Sequence, residues 1–410
     1  MRAKTLACPK REQRRCNRRK SQAAAFAALF LPLLLLLSCG AGDGHTHHQD
    51  AGAMSETTRR QEDPKPTVPS PGDASAEKAP LKLRIVSYNV ENLFDTRNDP
   101  DTDDEDFTPG GLYRWTENKY RRKVSGLASV LSDIGGWDYP ALVGLAEIEN
   151  LEVVRDLVKA APIRRADYRT SVSRGADPRG IDVALLWNPR HFRHKESYEI
   201  PHYGAPLYYP LRKDPRTKRE RSGKGRSTLW VVLEEKSTGD LYDILVVHLP
   251  SRRSGVNATS SKREEVSGKI NRVLDVIEGL RETPRIIVMG DFNDSPTNIS
   301  VKDSLRSEFV GSARSSFKYN SLYNLASGLE EQGLGSHYFE KEFWVPDQIM
   351  VSGALLDPKS NTRVTPAEER IYSPRRLRDG RIPKRSFRGS RFSYDGFSDH
   401  FPVYADLTIE

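Results

Sequence analysis

Residues capable of acid–base or metal chemistry stand at the ends of six apolar runs in this sequence. Each run has the composition of a buried strand, and the polar residues come directly after it or directly before it. They are Asn89, Glu147, His248, Asp291 with Asn293, Asp347, and Asp399 with His400. Turn chemistry explains any one of them, but six in one chain indicate a common site at the edge of a sheet.

The segment 285–296, RIIVMGDFNDSP, shows this pattern clearly. A buried apolar strand ends on Asp291 and Asn293, which flank the bulky Phe292. Asn and Asp near Gly and Pro are favoured in sharp reversals of the chain, which is the simplest interpretation. Alternation along an extended chain offers a second one, because it directs Asp291 and Asn293 to one side and the aromatic ring to the other.

These residue types suit the hydrolysis of a phosphoester. A phosphodiester anion repels an attacking hydroxide, so the reaction needs positive charge on the phosphate and an activated water molecule. Oxygen donors such as those of Glu147, Asp399 and Asn89 are the ligands that Mg²⁺ or Mn²⁺ prefers, and Ca²⁺ shares the preference for oxygen. The chain offers few histidines and no suitable cysteine for a zinc site.

The six motifs, in this order, resemble those of the endonuclease/exonuclease/phosphatase superfamily over about residues 82–410. Exported bacterial members are the most similar in the segments SYNVENLF, DTDDEDFTPGG, HLPSRRSG, DQIMVS and YDGFSDHFPVYADL. The resemblance implies an α/β fold, a four-layer sandwich of two mixed β-sheets packed face to face with helices outside. It also implies phosphoester hydrolysis that depends on a divalent metal ion.

The metal ligands that the resemblance implies are Glu147 and Asp399, helped by Asn89. Glu149 follows Glu147 by one strand period and would share its face of the strand. We interpret Glu149 as a helix-start or supporting group rather than a ligand.

The resemblance also implies a catalytic group of five residues. Asp291 would activate water or manage the leaving-group proton, and Asn293 would hydrogen-bond the phosphate as charge develops. His400, oriented by Asp347, would stabilise the transition state. His248 would donate to a phosphate oxygen or protonate the leaving oxygen.

Three more residues are candidates for supporting roles. Arg252 and Arg253 follow His248 by four and five positions. Either guanidinium could bind a phosphate in a bidentate manner, and the alternative is a solvent-facing pair in a loop. Asp182, which opens the run DVALLW, is either a carboxylate partner for His248 or a turn residue.

The elements that must position these groups alternate between strands and helices from residue 81 onward. Eight apolar runs predict strands, and helical spacing of apolar residues predicts helices within 115–134, 151–160 and 261–280. Thr116 is predicted to cap the first helix. Strands that alternate with helices, with paired strands in the middle, indicate one α/β domain over residues 81–410.

The first 80 residues differ in character from the rest. Residues 1–38 join a basic start to an apolar run that is short for a membrane span, and they end in a sequence similar to a bacterial lipobox. Residues 39–80 are rich in Gly, Pro, Ser and charge, which is typical of a flexible tether. We therefore predict a signal peptide, a lipidated Cys39, and an exported protein anchored to a bacterial membrane, with the outer membrane or cell surface favoured.

Net charge does not select a nucleic-acid substrate. The chain has 64 basic and 56 acidic residues, but residues 1–38 contain nine of the bases and one acid, which leaves 55 of each. Two local segments, 202–226 and 370–391, are strongly basic, with eight bases to two acids and nine bases to one acid. They favour DNA or RNA as a partner, whereas the acidic segment 98–111 does not.

The sequence thus predicts a divalent-metal-dependent phosphodiesterase that acts on nucleic acid. A small-molecule or lipid phosphoesterase of the same superfamily is the first alternative, and a non-catalytic surface lipoprotein is the second. Cys39 is the only cysteine after residue 38, so no intramolecular disulfide is expected. We predict a monomer with no obligate protein partner, which contacts the membrane through its lipid only.

Overall fold

The structure, a computed structural model, describes residues 79–211, 225–253, 255–311, 316–364 and 368–410. The chain divides into two units, 1–73 and 74–410, and all of the described residues belong to the second. The predicted signal peptide, Cys39 and nearly all of the predicted tether lie outside the described residues. The same holds for 212–224, the centre of the first basic segment.

The described residues contain the three predicted helices, α1 (Glu117–Gly135), α2 (Leu151–Lys159) and α3 (Val256–Leu280). Thr116 occupies the N-cap position of α1, but its side chain makes no capping hydrogen bond. Short helical turns add Glu105–Phe107, Arg164–Ala166, Ser300–Ser304, Gly353–Leu355 and Arg375–Leu377. No helix in the described part of the chain is long and apolar enough to cross a membrane.

The eight predicted strands are all present, together with shorter ones. In chain order the strands are β1 (Leu81–Leu93), β2 (Leu142–Ile148), β3 (Arg169–Val172), β4 (Asp182–Trp187), β5 (Phe192–Pro201), β6 (Tyr209–Pro210), β7 (Ser227–Glu235), β8 (Leu241–His248), β9 (Arg285–Asp291), β10 (Ser307–Phe309), β11 (Leu322–Asn324), β12 (His337–Phe339), β13 (Glu342–Trp344), β14 (Asp347–Ser352), β15 (Thr362–Val364), β16 (Arg370–Ile371), β17 (Arg378–Asp379), β18 (Ile382–Pro383), β19 (Phe387–Arg388), β20 (Arg391–Phe392) and β21 (Val403–Ile409). The strand β5 was not predicted, because its middle residues are polar and partly exposed.

The longer strands form two mixed sheets. The first sheet has the order β15-β21-β1-β2-β4-β3, and β16 also pairs with β21. The second sheet has the order β10-β11-β14-β9-β8-β7-β5-β6. Each sheet has a parallel pair near its centre, β1 with β2 and β8 with β9, and mostly antiparallel pairs around it. The carboxyl ends of these two parallel pairs are where most of the predicted site residues lie.

Three apolar cores separate the layers of the domain. Between the sheets, residues such as Ile85 and Val246 pack together from opposite sides. The outer face of the first sheet is covered by α1 and α2, and the outer face of the second sheet by α3. A fully buried aliphatic side chain contributes about 1.5–3 kcal/mol, which explains why the central strands are continuous apolar runs. The predicted four-layer α/β sandwich is confirmed.

Candidate active site

Three neighbouring strands of the second sheet carry three of the predicted catalytic side chains in one row. The parallel strands β8 and β9 pair His248 with Asp291, and β14 pairs Asp347 with Asp291 from the other side. All three residues are buried. The register of the sheet therefore brings together groups from three separate segments of the chain.

Gly290 lets β8 and β9 approach each other closely just before Asp291. Its φ is +145°, and a Cβ at this position would lie 1.9 Å from the backbone oxygen of Val247. Residues with a side chain rarely adopt this conformation, and the contact leaves no room for one. The glycine is therefore part of how Asp291 is placed beside His248.

The first sheet contributes Asn89 and Glu147 from the ends of β1 and β2. The pairing is regular as far as Asn89, opposite Ala146, and then shifts. Glu147 has a φ of +63°, a left-handed conformation that costs a residue other than glycine roughly 1–3 kcal/mol. The amide of Asn92 donates a 3.0 Å hydrogen bond to Glu147 Oε2. A strained turn thus directs this carboxylate and holds it.

The two sheets meet at Asn89. Its Nδ2 donates a 2.9 Å hydrogen bond to Asp291 Oδ2, and its Oδ1 accepts one of 3.0 Å from the amide of Glu91. His248 Nε2 lies 3.6 Å from Asp291 Oδ2 and 3.9 Å from Glu147 Oε1. Side chains from both sheets therefore converge on one place.

The turn after β9 separates the polar residues from the aromatic one as alternation predicts. Phe292 is fully buried in the core between the second sheet and α3. The amide of Asn293 donates to Asp291 Oδ1 at 2.8 Å, and Asn293 Nδ2 donates to the backbone oxygen of Leu249 at 2.9 Å. In this structure Asn293 therefore fixes the turn and the orientation of the Asp291 carboxylate.

His400 and Asp347 form a close pair. His400 Nδ1 lies 2.6 Å from Asp347 Oδ2, and the Ser336 hydroxyl donates to the same oxygen at 2.6 Å. Ser398 accepts a 3.0 Å bond from the amide of His400 and donates a 2.7 Å bond to the backbone oxygen of Asn89. His400, which precedes β21 of the first sheet, is thereby held against a carboxylate of the second sheet.

The surroundings raise the pKa values of Asp291 and His400 and lower the pKa of His248. Burial raises the pKa of Asp291 to about 6, with Asp347 adding to the rise and His400 and Asn89 opposing it. Burial alone would lower the pKa of His400, but the nearby Asp347, Asp399 and Asp291 carboxylates hold it well above its ordinary value. Burial, with Arg226 beside it, lowers the pKa of His248 well below the usual range. At neutral pH the site therefore contains a carboxylate that is more basic than usual, an imidazolium and a neutral imidazole.

A partly buried network around Asp399 was not predicted from the sequence. Arg385, whose side chain is 50% exposed, donates to Asp399 Oδ2 at 2.9 Å and to Glu91 Oε1 at 3.4 Å. Glu91 also accepts a 2.6 Å bond from the amide of Ser386, and buried Lys123 donates to the Ser386 hydroxyl at 2.6 Å. The one local signal was Glu91, which follows Asn89 by two residues. Its partners lie too far away in the chain to be found by spacing.

Arg252 does not face the site as a free guanidinium. It forms an ion pair with Asp294, donates to the backbone oxygen of Asn293 at 2.6 Å, and stacks over Trp344 at 4.2 Å. These contacts give Arg252 a structural role in the turn, and its phosphate contact stays a prediction. Arg253 is exposed in the adjoining loop.

Asp182 holds a neighbouring loop. Its Oδ1 accepts hydrogen bonds from the Ser173 hydroxyl at 2.8 Å and from the amide of Gly175 at 2.7 Å. His248 Nδ1 is buried and has no hydrogen-bond partner among the described residues. The hydrogen-bonded pair of Asp182 and His248 is thus not formed, because loop amides and hydroxyls compete for this carboxylate.

Glu149 supports the chain beside the site. It is buried and accepts a 2.6 Å hydrogen bond from the amide of Asp95. Burial raises the pKa of Glu149 to about 8, with that hydrogen bond opposing the rise. The interpretation of Glu149 as a supporting group agrees with these contacts.

The donor set fits a divalent cation. Burial raises the pKa of Glu91 to about 7, with Asp399 adding to the rise and Lys123 and Arg385 opposing it, so carboxylates lie close to one another here. The second lone pair of Asn89 Oδ1 and the carboxylates of Glu147 and Asp399 are hard oxygen donors of the kind that Mg²⁺ and Mn²⁺ accept. In addition, the ligand atoms of Asp291, Asp347 and His400 lie within 4.8 Å of one another.

The four-layer α/β sandwich brings carboxylates, an amide and histidines together where its two sheets meet. The chain belongs to the Endonuclease/Exonuclease/phosphatase family, whose model matches residues 84–409. Membership of this family supports the interpretation of the protein as a phosphoester hydrolase. No curated protein has significant sequence similarity to the chain.

The chain is similar to solved structures that include the following three. An endonuclease/exonuclease/phosphatase from Bacteroides vulgatus is 15% identical, with 80% of this chain and 100% of that chain covered and a TM-score of 0.48. D. rerio TDP2 complexed with a single-strand DNA product is 16% identical, with coverage of 80% and 98% and a TM-score of 0.46. A mannosyl-6-phosphatase from Bacteroides thetaiotaomicron is 16% identical, with coverage of 79% and 99% and a TM-score of 0.44.

Proposed function

We propose that this protein is a divalent-metal-dependent phosphodiesterase that acts on nucleic acid. The observation that carries the proposal is the convergence of Asp291 with the Asp347–His400 pair at the junction of the two sheets. A basic carboxylate next to a protonated imidazole supplies both a proton acceptor and a donor to a phosphoryl oxygen.

Asp291 is the proposed proton acceptor. Its carboxylate is held by hydrogen bonds from Asn89 and from the amide of Asn293, so it keeps one orientation towards an attacking water. The raised pKa makes it a stronger base than an exposed aspartate while leaving it largely ionised at neutral pH.

His400 and His248 are the proposed donors to the phosphate. His400 carries its proton at neutral pH because Asp347 stabilises the imidazolium, and it can therefore neutralise charge that develops on a phosphoryl oxygen. His248 stays neutral, and its Nε2 side faces Asp291 and Glu147. Arg385 adds a half-exposed guanidinium at the same place, which suits it to hold a phosphate oxygen.

A divalent ion, Mg²⁺ or Mn²⁺ with Ca²⁺ as a further possibility, would be held by Glu147, Asp399 and Asn89. When bound, it polarises the phosphoryl oxygen and offsets the charge of the substrate.

The surface beside the site supports a nucleic-acid substrate. The segment 375–391 presents six exposed arginines, which are Arg375, Arg378, Arg381, Arg385, Arg388 and Arg391. Arginine forks bind phosphate in a bidentate manner, and a backbone with many phosphates can engage several at once. A small phosphomonoester would use few of these residues.

Hydrolysis of a substrate panel with added Mg²⁺ or Mn²⁺ tests the proposal. The panel contains plasmid DNA, RNA, bis-p-nitrophenyl phosphate, sphingomyelin and inositol phosphates. We expect cleavage of DNA or RNA that chelation abolishes, that salt weakens, and that Asp291→Ala removes while Asp275→Ala on the exposed face of α3 retains it. Cleavage of only the small or lipid esters would favour the alternative substrate class, and inactivity of the folded protein on the whole panel would count against the enzyme.

We also propose export and lipid anchoring through Cys39, on the grounds of residues 1–39 alone. Metabolic labelling of the chain with a fatty acid, compared with a Cys39→Ala variant, tests this.

A further inference from the structure

His337 lies directly against the proposed catalytic histidine. The rings of His337 and His400 stack with centroids 4.3 Å apart and an angle of 28° between their planes. The backbones of the two residues form a β-bridge, and the amide of Phe401 donates to Ser336 O at 2.7 Å. His337 also begins β12, which a tight turn joins to β13 with positive φ values at Glu340 and Lys341. Both imidazoles are therefore held in fixed positions.

Each ring is held by a hydrogen bond at its Nδ1 atom. His337 Nδ1 lies 2.9 Å from the backbone oxygen of Asp399, and His400 Nδ1 lies 2.6 Å from Asp347 Oδ2. A carbonyl oxygen only accepts hydrogen bonds, so His337 Nδ1 carries the hydrogen and its Nε2 keeps a lone pair. The Nε2 atom of His400 faces Asp399 Oδ1 at 3.9 Å. Histidine ligands of metal ions have this same arrangement, in which Nδ1–H donates to a carboxylate or carbonyl and Nε2 binds the metal.

A carboxylate completes the group. Asp399 Oδ1 lies 3.9 Å from His400 Nε2, and the ligand atoms of His337, Asp399 and His400 lie within 4.8 Å of one another. His337 and Asp399 are only partly buried, so an ion can reach them from solvent. Two imidazole nitrogens and one carboxylate oxygen favour zinc and related transition metals, whereas Mg²⁺ prefers oxygen throughout.

We propose that His337, Asp399 and His400 form a second metal site, selective for a transition-metal ion of the zinc class, and that its occupation inhibits the enzyme. A zinc ion bound to His400 would occupy the imidazole that the proposed function directs at the phosphate. The same ion would also bind the Asp399 carboxylate. The inhibitory consequence rests on the proposed function, but the metal site does not.

Zinc binding to the full chain tests the site. His45, His47 and His48 are first changed to alanine, since this cluster in residues 39–80 offers imidazoles of its own. Calorimetric titration with Zn²⁺ is carried out without added Mg²⁺ and then repeated with it, because Asp399 belongs to both proposed metal sites. We expect one tightly bound zinc ion. His337→Phe and His337→Ala should each reduce the affinity for zinc by at least roughly 10- to 100-fold, which is the loss caused by removing a group that only supports a metal ligand.

His337→Phe retains a ring to stack on His400 and removes only the nitrogens, so it separates ligation from packing. The matched control is His191→Ala, because His191 Nε2 also faces a carboxylate, Asp138 at 3.9 Å, but belongs to no such cluster. X-ray absorption of the zinc-loaded protein should show two imidazoles on the metal. Unchanged zinc affinity in His337→Phe, or zinc without imidazole ligands, would overturn the proposal.

Inhibition gives a second readout. With any substrate that the protein hydrolyses, zinc should inhibit the parent protein and should inhibit His337→Phe at least tenfold less strongly. A protein that binds zinc as expected but hydrolyses nothing would reject the proposed function while supporting the site.

Discussion

Asn89 Nδ2 donates a 2.9 Å hydrogen bond to Asp291 Oδ2, and this bond joins the two sheets of the sandwich at the candidate site. Both residues are almost fully buried. A buried hydrogen bond to a carboxylate contributes about 1.5–3 kcal/mol. This hydrogen bond therefore couples the packing of the two sheets to the orientation of Asp291, the proposed base.

Replacement of Asp291 by asparagine should abolish hydrolysis. The variant keeps the size of the side chain but cannot accept a proton, so we expect kcat to fall by roughly 10²- to 10⁴-fold. Steady-state kinetics on the best substrate of the panel measures the loss. Asp275→Asn, on the exposed side of α3, should keep full activity. Equal activity in the two variants would exclude Asp291 as the base.

The pH profile of the unmodified enzyme should have its acidic limb near pH 6. Below this value Asp291, whose pKa burial raises to about 6, holds a proton and cannot act as a base. Activity should therefore rise as pH increases through about 6, which initial rates in a constant-ionic-strength buffer series will show. An acidic limb near pH 4 would indicate an ordinary exposed carboxylate instead.

Asp347→Asn should shift the alkaline limb of that profile to lower pH. Asp347 is the largest of the influences that raise the pKa of His400, so its removal lets the imidazolium lose its proton more easily. The variant should lose more activity at pH 8 than at pH 6. Ser336→Ala removes only one hydrogen bond to Asp347 and should leave the limb almost in place. A uniform loss at every pH would point to a purely structural role.

Arg385→Ala should weaken substrate binding. Loss of a hydrogen bond to a charged group costs about 1.5–3 kcal/mol, which corresponds to roughly a 10- to 100-fold fall in kcat/KM. We expect most of it in KM, with partial recovery in Arg385→Lys. Arg388→Ala, an exposed arginine of the same segment that pairs with Asp379, is the control. Equal effects of the two alanine variants would mean that the segment acts only through its total charge.

Glu149→Gln should make the protein more stable at alkaline pH. The folded pKa of Glu149 is raised from 4.5 to about 8, so the folded state binds the proton more tightly than the unfolded chain. The wild type therefore loses stability as pH rises from about 4.5 to 8. The variant should gain on the order of 5 kcal/mol in the free energy of unfolding at pH 8.5 and almost nothing at pH 4.5. Urea denaturation at both pH values checks this, with exposed Glu152→Gln as the control.

Much of the fold could be predicted because buried strands have a recognisable composition within short segments of the sequence. The central strands are covered on both faces, so each is a continuous apolar run, and all eight such runs are strands. The edge-side strand β5 alternates polar and apolar residues irregularly, and it was missed for that reason.

The candidate site was predictable in its members but not in its contacts. Asn89, Glu147, His248 and Asp291 stand at strand ends, and parallel neighbours bring such ends together. Their distances depend on sheet register and on how one sheet is placed over the other. Neither property is encoded within a single segment.

Local chemistry pointed to metal-assisted phosphoester hydrolysis, because residue types and their positions after apolar runs are properties of short segments, and the order of the motifs resembles that of this family. Tertiary structure alone decided which charges meet. It placed Arg385 on Glu91, 294 positions away, turned Arg252 towards Asp294, and stacked His337 on His400. Side chains interact over a few ångströms in space, and only the packing of the two sheets sets those distances.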